Sequence, residues 1–486
     1  MKIPRRSVHA TAVAALLSAA TAISCARNPA TGGLQLMLIS ENQEIRMGQE
    51  ADPQVRASFG VYDNPELQVY VRDLGMSIAR NSERPHLPWK YTVIDDPIVN
   101  AFALPGGFIY ISRGILAYFE SEAELMAVLG HETGHVTARH SAAQMSRQQL
   151  GQIGLGVGMI LAPGLQDFAG LANSSLQLLY LKNSRGAERQ ADELGFRYMR
   201  QRGYDAREMV KVFNMLGRVT AAAGGPGVPN WQSTHPTSAD REAKIQAQIV
   251  KSGVDFSTYT VRQDEYLRRL DGLVFGTNPR HGFFRGQRFM HPDLRFEIEF
   301  PTEWQTVNQQ QAVLGQSPRK DAMMEVALAE GGGTPRDLAR GFVGQKGVSG
   351  GSVVPGKIHG LTSASADFSV RTNQQALRGN VTYVEYGDNV FRLLGVSTSR
   401  GWGRYRQAIL GAFQSFDRLT EMRALTAQPM RVRIVELEKP MTLTQFNREY
   451  PSAISLQKLA IINQVQPGAL LEAGRLMKRI EGDSIP

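Results

Sequence analysis

Two histidines four residues apart, with a glutamate beside the first, form the segment best equipped for chemistry in this chain: His131-Glu132-Thr133-Gly134-His135. On a helix, positions i and i+4 share one face, so His131 and His135 can direct both imidazoles at one zinc ion while Glu132 reaches a water on the same metal. Zinc accepts neutral nitrogen ligands, keeps a position for water and lowers the pKa of that water toward about 7. Glu132 would be the general base, taking the water's proton and later handing it to the leaving amine. The chemistry these types and spacings point to is metal-dependent peptide-bond hydrolysis. A chain of this length shows the pattern by accident roughly one time in a hundred.

That reading requires a helix. Ser121-Glu122-Ala123-Glu124 has the form of a capping box, and Leu125, Val128 and Leu129 follow at helical spacing to give an apolar face. Gly130 and Gly134 each cost about 1 kcal/mol in a helix relative to Ala, which suggests close packing beside the metal. Two histidines need a third ligand. Glu188 and Asp192, four apart in Arg185-Gly186-Ala187-Glu188-Arg189-Gln190-Ala191-Asp192, offer one from a second helix. Glu188 is the expected ligand; Asp192 would hold a ligating histidine by its free ring nitrogen or assist proton transfer.

With HETGH at 131–135, Glu188-x-x-x-Asp192, Ser233-Thr234-His235-Pro236 and Asn100-Ala101-Phe102-Ala103-Leu104-Pro105-Gly106-Gly107 in this order, roughly residues 26–260 resemble the HExxH gluzincin metallopeptidases. That family includes the periplasmic β-barrel assembly-enhancing protease, the mitochondrial inner-membrane quality-control protease and the CAAX prenyl protease. The resemblance implies one zinc on His131, His135 and Glu188, catalysis by Glu132, and Asp192 as proton donor. It also implies that His235 is a removable fourth ligand that keeps the enzyme latent, whereas the residues alone read equally well as a turn before Pro236. His140 reads as structural. Asn100, Ala101, Phe102, Gly106 and Gly107 belong to a turn between β-prone pieces, where a strand edge beside the zinc helix would pair with an extended substrate or simply form a hairpin.

The fold class expected is α+β. A mainly helical zincin domain with a small sheet (25–262) precedes a linker (263–293), an α+β accessory domain (294–420) and a small βααβ unit (428–486). Phe296-Glu297-Ile298-Glu299-Phe300-Pro301 alternates as a half-buried strand does, and with Trp304 it resembles the opening of PsbP-like domains. Strands are expected at 381–386 and 391–398 and a helix at 405–416. The last unit resembles a glycan-binding LysM module, with Lys439-Pro440-Met441-Thr442 in place of the usual Gly-Asp-Thr opening.

The first 24 residues read as a lipoprotein signal peptide. Lys2, Arg5 and Arg6 precede an apolar stretch, and Ala22-Ile23-Ser24-Cys25 resembles a lipobox, with Ala22 where Leu is usual and Cys25 as the lipidated residue. Cys25 is the one cysteine of 486 residues, so no intrachain disulfide is possible. Ala26 after it directs such a lipoprotein to the periplasmic side of the outer membrane, or the protein to the periplasm if unlipidated. The formal charge of +9 suits anionic lipid, glycan or lipopolysaccharide surfaces, and its spread along the chain argues against nucleic acid. Gly151 to Ala172 reads as a helix and apolar loop by the active site, interrupted by Pro163 and Asp167 and so no membrane span.

The function expected is zinc-dependent endoproteolysis of misfolded or unassembled envelope proteins, near outer-membrane assembly machinery or peptidoglycan. The alternatives are a latent envelope scaffold or chaperone with structural zinc, and a wall-glycan-binding protein.

Overall fold

The computed structural model describes residues 25–154, 183–222, 231, 235, 239–371 and 376–483. The leader and most of the 151–172 segment lie outside the described residues. The architecture is α+β. Helices enclose a three-stranded sheet in the first half, and two further sheets dominate the second.

The helix that carries the HETGH residues, Glu122–Thr137, begins at Ser121, whose side chain accepts from Glu124 N. The reciprocal half of a capping box is absent: Glu124 accepts from the backbone of Glu120, one residue before the cap. Every residue of this helix is buried, so the expected one-sided apolar face underestimates its burial. Three layers surround it. On one side lies the helix Arg185–Gln201, on another Glu208–Ala222, and against a third the sheet whose strands run Lys90–Ile94, Phe108–Ser112 and Ala101–Leu104 in spatial order. The first pair is parallel and the second antiparallel, with Phe102 opposite Tyr110. Ala101–Leu104 is therefore an edge strand lying beside the HETGH helix.

Two glycine contacts set the helix spacing. A Cβ built on Gly130 would stand 3.2 Å from Gly195 Cα, and one on Gly134 would stand 3.1 Å from Ala191 O. The close approach expected from these glycines is real, and it brings the Glu188 helix within reach of the histidines.

The span 263–293, expected as a linker, carries regular structure. It holds the helix Gln263–Arg269, the strand Val274–Phe275, and two strands, Phe283–Arg285 and Arg288–His291, of a four-stranded sheet completed by Phe296–Glu299 and Asp417–Arg418. The middle body adds an eight-stranded sheet with the helix Trp402–Gln414 on one face and Pro335–Val343 on the other. Neighbouring residues take opposite sides: Leu393 packs with Ile409 and Phe413, Leu394 with Ala339 and Phe342.

The C-terminal unit has strands Met430–Glu436 and Leu476–Glu481 bracketing helices Leu443–Glu449 and Leu456–Ile462. It is not a pendant module. Val274–Phe275 pairs with Met430–Glu436 as a third strand, and Val432, Leu459, Ile462 and Met477 share one apolar core with Leu125, Leu129 and Tyr266. Lys478, wholly buried, reaches Glu120 Oε1 at 2.8 Å, and Gln464 donates to Glu124 Oε2 at 2.7 Å. Among the described residues, no helix is long and apolar enough to cross a membrane.

Candidate metal centre

The helix Arg185–Gln201 starts at Ser184, which caps it through Ala187 N, and it turns Glu188 and Asp192 toward the HETGH helix one turn apart. Glu188, His131, His135 and His235 converge with ligand atoms all within 4.8 Å of one another, and all four are buried. His131 Nε2 lies 3.0 Å from His135 Nε2 and 3.3 Å from His235 Nδ1. Glu188 oxygens lie 3.5 Å from His131 Nε2, 3.4 Å from His135 Nε2 and 3.1 Å from His235 Nδ1. A tetrahedron of nitrogen and oxygen ligands around zinc has edges of about 3.3 Å, so this donor set fits that ion in size as well as in type.

The remaining ring nitrogens are held. His131 Nδ1 stands 2.9 Å from Asp192 Oδ1, and His135 Nδ1 stands 2.9 Å from His140 Nδ1, whose Nε2 is 2.7 Å from Gln190 Oε1. With a metal bound, one tautomer assignment would satisfy both chains, each Nδ1–H donating outward and each Nε2 lone pair facing the cluster centre. Asp192 is itself clamped by Arg241, with Nε and Nη2 each 2.7 Å from its two oxygens, and Arg241 Nη1 reaches Glu188 Oε2 at 2.8 Å. Asp192 thus lies on the far side of His131 from the cluster. Its contact with His131 Nδ1 is the one that the histidine-holding role needs.

Burial and charge act on each group. Burial alone would depress His131, but the bonds and charges of Asp192 and Glu188 outweigh it and lift its pKa to about 9. Burial drives His135 well below its usual value and His140 to about 4, so both rings are neutral near pH 7. Burial also works against an ionised Glu188, yet the three histidines around it hold it well below the carboxylate range. Glu132 is raised by desolvation, and neither of its buried oxygens has a hydrogen-bond partner among the described residues; His235 Nε2 stands 3.5 Å from its Oε1. A carboxylate left free beside the donors suits a base that must accept a reacting proton.

Three contacts escaped sequence reasoning. Arg241 and Gln190 sit in ordinary polar helix sequence with no local signal. Trp231 stacks on His235 with centroids 4.1 Å apart, accepts His235 N–H at its carbonyl and donates its own N–H to Val99 O. Ala101 and Phe102 lie in the edge strand and Asn100 precedes it, with Asn100 Oδ1 buried and unpartnered among the described residues. Gly106 and Gly107 make the turn, both at positive φ. Cys25 opens the short strand Cys25–Arg27, paired with Leu34–Leu36.

Residues 65–249 match the description of Peptidase family M48. The chain is 30% identical over 224 residues to the beta-barrel assembly-enhancing protease of Yersinia pestis, covering 44% of this chain and 46% of that protein. It is 34% identical over 171 residues to the mitochondrial metalloendopeptidase OMA1 of Arabidopsis thaliana, covering 35% and 33%. The chain thus spans about half or less of the length of these curated relatives. Among solved structures, the cyanobacterial PsbP of Synechocystis sp. aligns with 27% of this chain and 91% of its own at 13% identity and a TM-score of 0.24.

Proposed function

We propose that the protein is a zinc-dependent metalloendopeptidase of the cell envelope that hydrolyses misfolded or unassembled envelope proteins. The observation that carries this reading is the convergence of His131, His135 and Glu188 beside a buried, unpartnered Glu132. Bound there, zinc would supply Lewis-acid polarisation and an activated water. The chain's own residues do the rest. Asp192 and His140 aim the two imidazoles, Arg241 holds the Glu188 and Asp192 carboxylates, and Glu132 takes and returns the proton. The edge strand Ala101–Leu104 would add an extended substrate by backbone pairing, a mode that reads little sequence and suits unfolded chains. The substrate class is supported by the resemblance to the envelope and mitochondrial peptidases. Anchoring as an outer-membrane lipoprotein through Cys25 is supported by the lipobox-like leader.

A second reading has its own support. With His235 included, four protein donors close the tetrahedron, as in structural zinc sites, and catalytic sites keep one position open. His235 is then either a removable latch or the mark of a non-proteolytic scaffold. Casein cleavage with added zinc by the wild type, Glu132→Gln and His235→Ala separates the two. Cleavage that disappears in Glu132→Gln is expected, with His235→Ala more active than the wild type. Zinc binding with every form inert would favour the scaffold.

A further inference from the structure

The helices Arg185–Gln201 and Ala239–Ser252 face one another across a cleft of about 580 Å³, whose inner end is formed by Asp192 and Arg241. Arg189 and Arg200 line it from the first helix, Lys244 and Lys251 from the second, with Phe196 and Ile245 as apolar wall. Among the described residues the carboxylates in the lining are Glu193 and Asp192, and Asp192 is already paired with Arg241. At the rim Asp240 pairs with Lys244 at 3.1 Å and approaches Arg189 at 3.9 Å. Arg200 and Lys251 have no carboxylate partner among the described residues, and the buried Arg200 Nε has no hydrogen-bond partner. Cations on an ordinary solvated face point apart; these line two walls of one concavity.

An adjoining cleft shares Glu193, Phe196, Arg200 and Gln248 and ends at Thr31, six positions after Cys25. The hairpin that starts at Cys25 is tied to the same helix, Asn28 donating to Gln190 Oε1 at 3.2 Å and Gln190 to Thr31 Oγ1 at 3.3 Å. A lipid-bearing Cys25 would hold this end of the groove near the membrane surface.

We infer that the Arg200–Lys251 cleft binds the phosphate group of an anionic lipid headgroup. The lipid as source rests on the envelope anchoring proposed above; the phosphate contact does not. Its volume falls in the range of small-ligand sites, and basic side chains at a membrane surface gain from anionic headgroups. Removing one cation is worth about fivefold in binding, two about thirtyfold, at roughly 1 kcal/mol each.

The test uses the full chain with Cys25→Ala, which no acyl group can anchor, floated with vesicles of phosphatidylcholine alone or mixed with phosphatidylglycerol. Arg200→Gln/Lys251→Gln is compared with Arg319→Gln/Lys320→Gln, which removes equal charge from exposed residues of the middle body. Binding is expected only to the vesicles that contain phosphatidylglycerol, weakened about thirtyfold by the cleft variant, little changed by the control and competed by inorganic phosphate. Equal loss in both variants would overturn the cleft in favour of net charge. Phosphate binding in calorimetry without vesicle binding would overturn the lipid assignment, and binding of neither would overturn the site. Casein cleavage, read on the same proteins, depends on Glu132 and not on the cleft, so failure here is distinct from failure of the peptidase reading.

Discussion

Arg241 is the residue on which the buried charges of the centre depend. Glu188 and Asp192 are both ionised and almost wholly buried, and one guanidinium bonds both. Removing one partner of a buried ion pair costs about 3–5 kcal/mol because the other charge is left uncompensated. Arg241→Leu should therefore lower the stability of the metal-free protein by about that much. Zinc brings positive charge to the same carboxylates, so loading should recover part of the loss. Melting of wild type and variant with chelator and with zinc checks this. An equal deficit in both states would mean that Arg241 serves packing and not charge. Lys would be a poor substitute, since a point charge cannot make the two-pronged contact with Asp192.

At the scale of the element, the HETGH helix joins the metal to the C-terminal unit. Its first turn carries Glu124, wholly buried and facing Glu120 and Glu208 as acids, Gln464 as donor and Lys478 as cation. Burial pushes the Glu124 carboxyl from 4.5 up to about 8. A carboxyl raised on folding keeps its proton after the unfolded chain has released it, so the folded state binds more protons between these two values. Stability then falls as pH rises from about 4.5 to about 8. Glu124→Gln, which keeps the acceptor for Glu120 N, should flatten that fall. Melting temperature against pH for the metal-free wild type and variant is the measurement; parallel curves would reject the raised carboxyl.

For the molecule as a whole, the core does not divide where the chain's composition does. A LysM-like appendage would leave the peptidase intact when removed. The structure instead places residues 430–483 on a shared strand, a shared apolar core and the buried Lys478–Glu120 pair. A chain ending at Pro429 strips the cover from Leu125, Leu129 and Tyr266 and leaves Glu120 buried without its cation. It is expected to lose its cooperative melting transition and its zinc-dependent protease activity together. Retention of both would show an independent module and would revive wall-glycan binding as its role.

The candidate metal-binding cluster was legible because its chemistry is local: an i, i+4 histidine pair with its glutamate, and a second i, i+4 carboxylate pair, need only helical geometry to be recognised. Gly130 and Gly134 were legible for a similar reason, since glycine inside a helix is costly unless another backbone needs the space. Helix capping at Ser121 and the alternation at Phe296–Phe300 are likewise short-range. What only the tertiary structure decided lies at long sequence separation. Arg241 meets Asp192 across 49 residues, and Lys478 meets Phe119 across 359. No periodicity encodes such pairs, because each is selected by the desolvation of a charge in a core that exists only once distant helices have packed. The same holds for the span 263–293. Its strands are too short to stand alone, so it reads as a linker until the partner strands that give it hydrogen bonds are folded beside it.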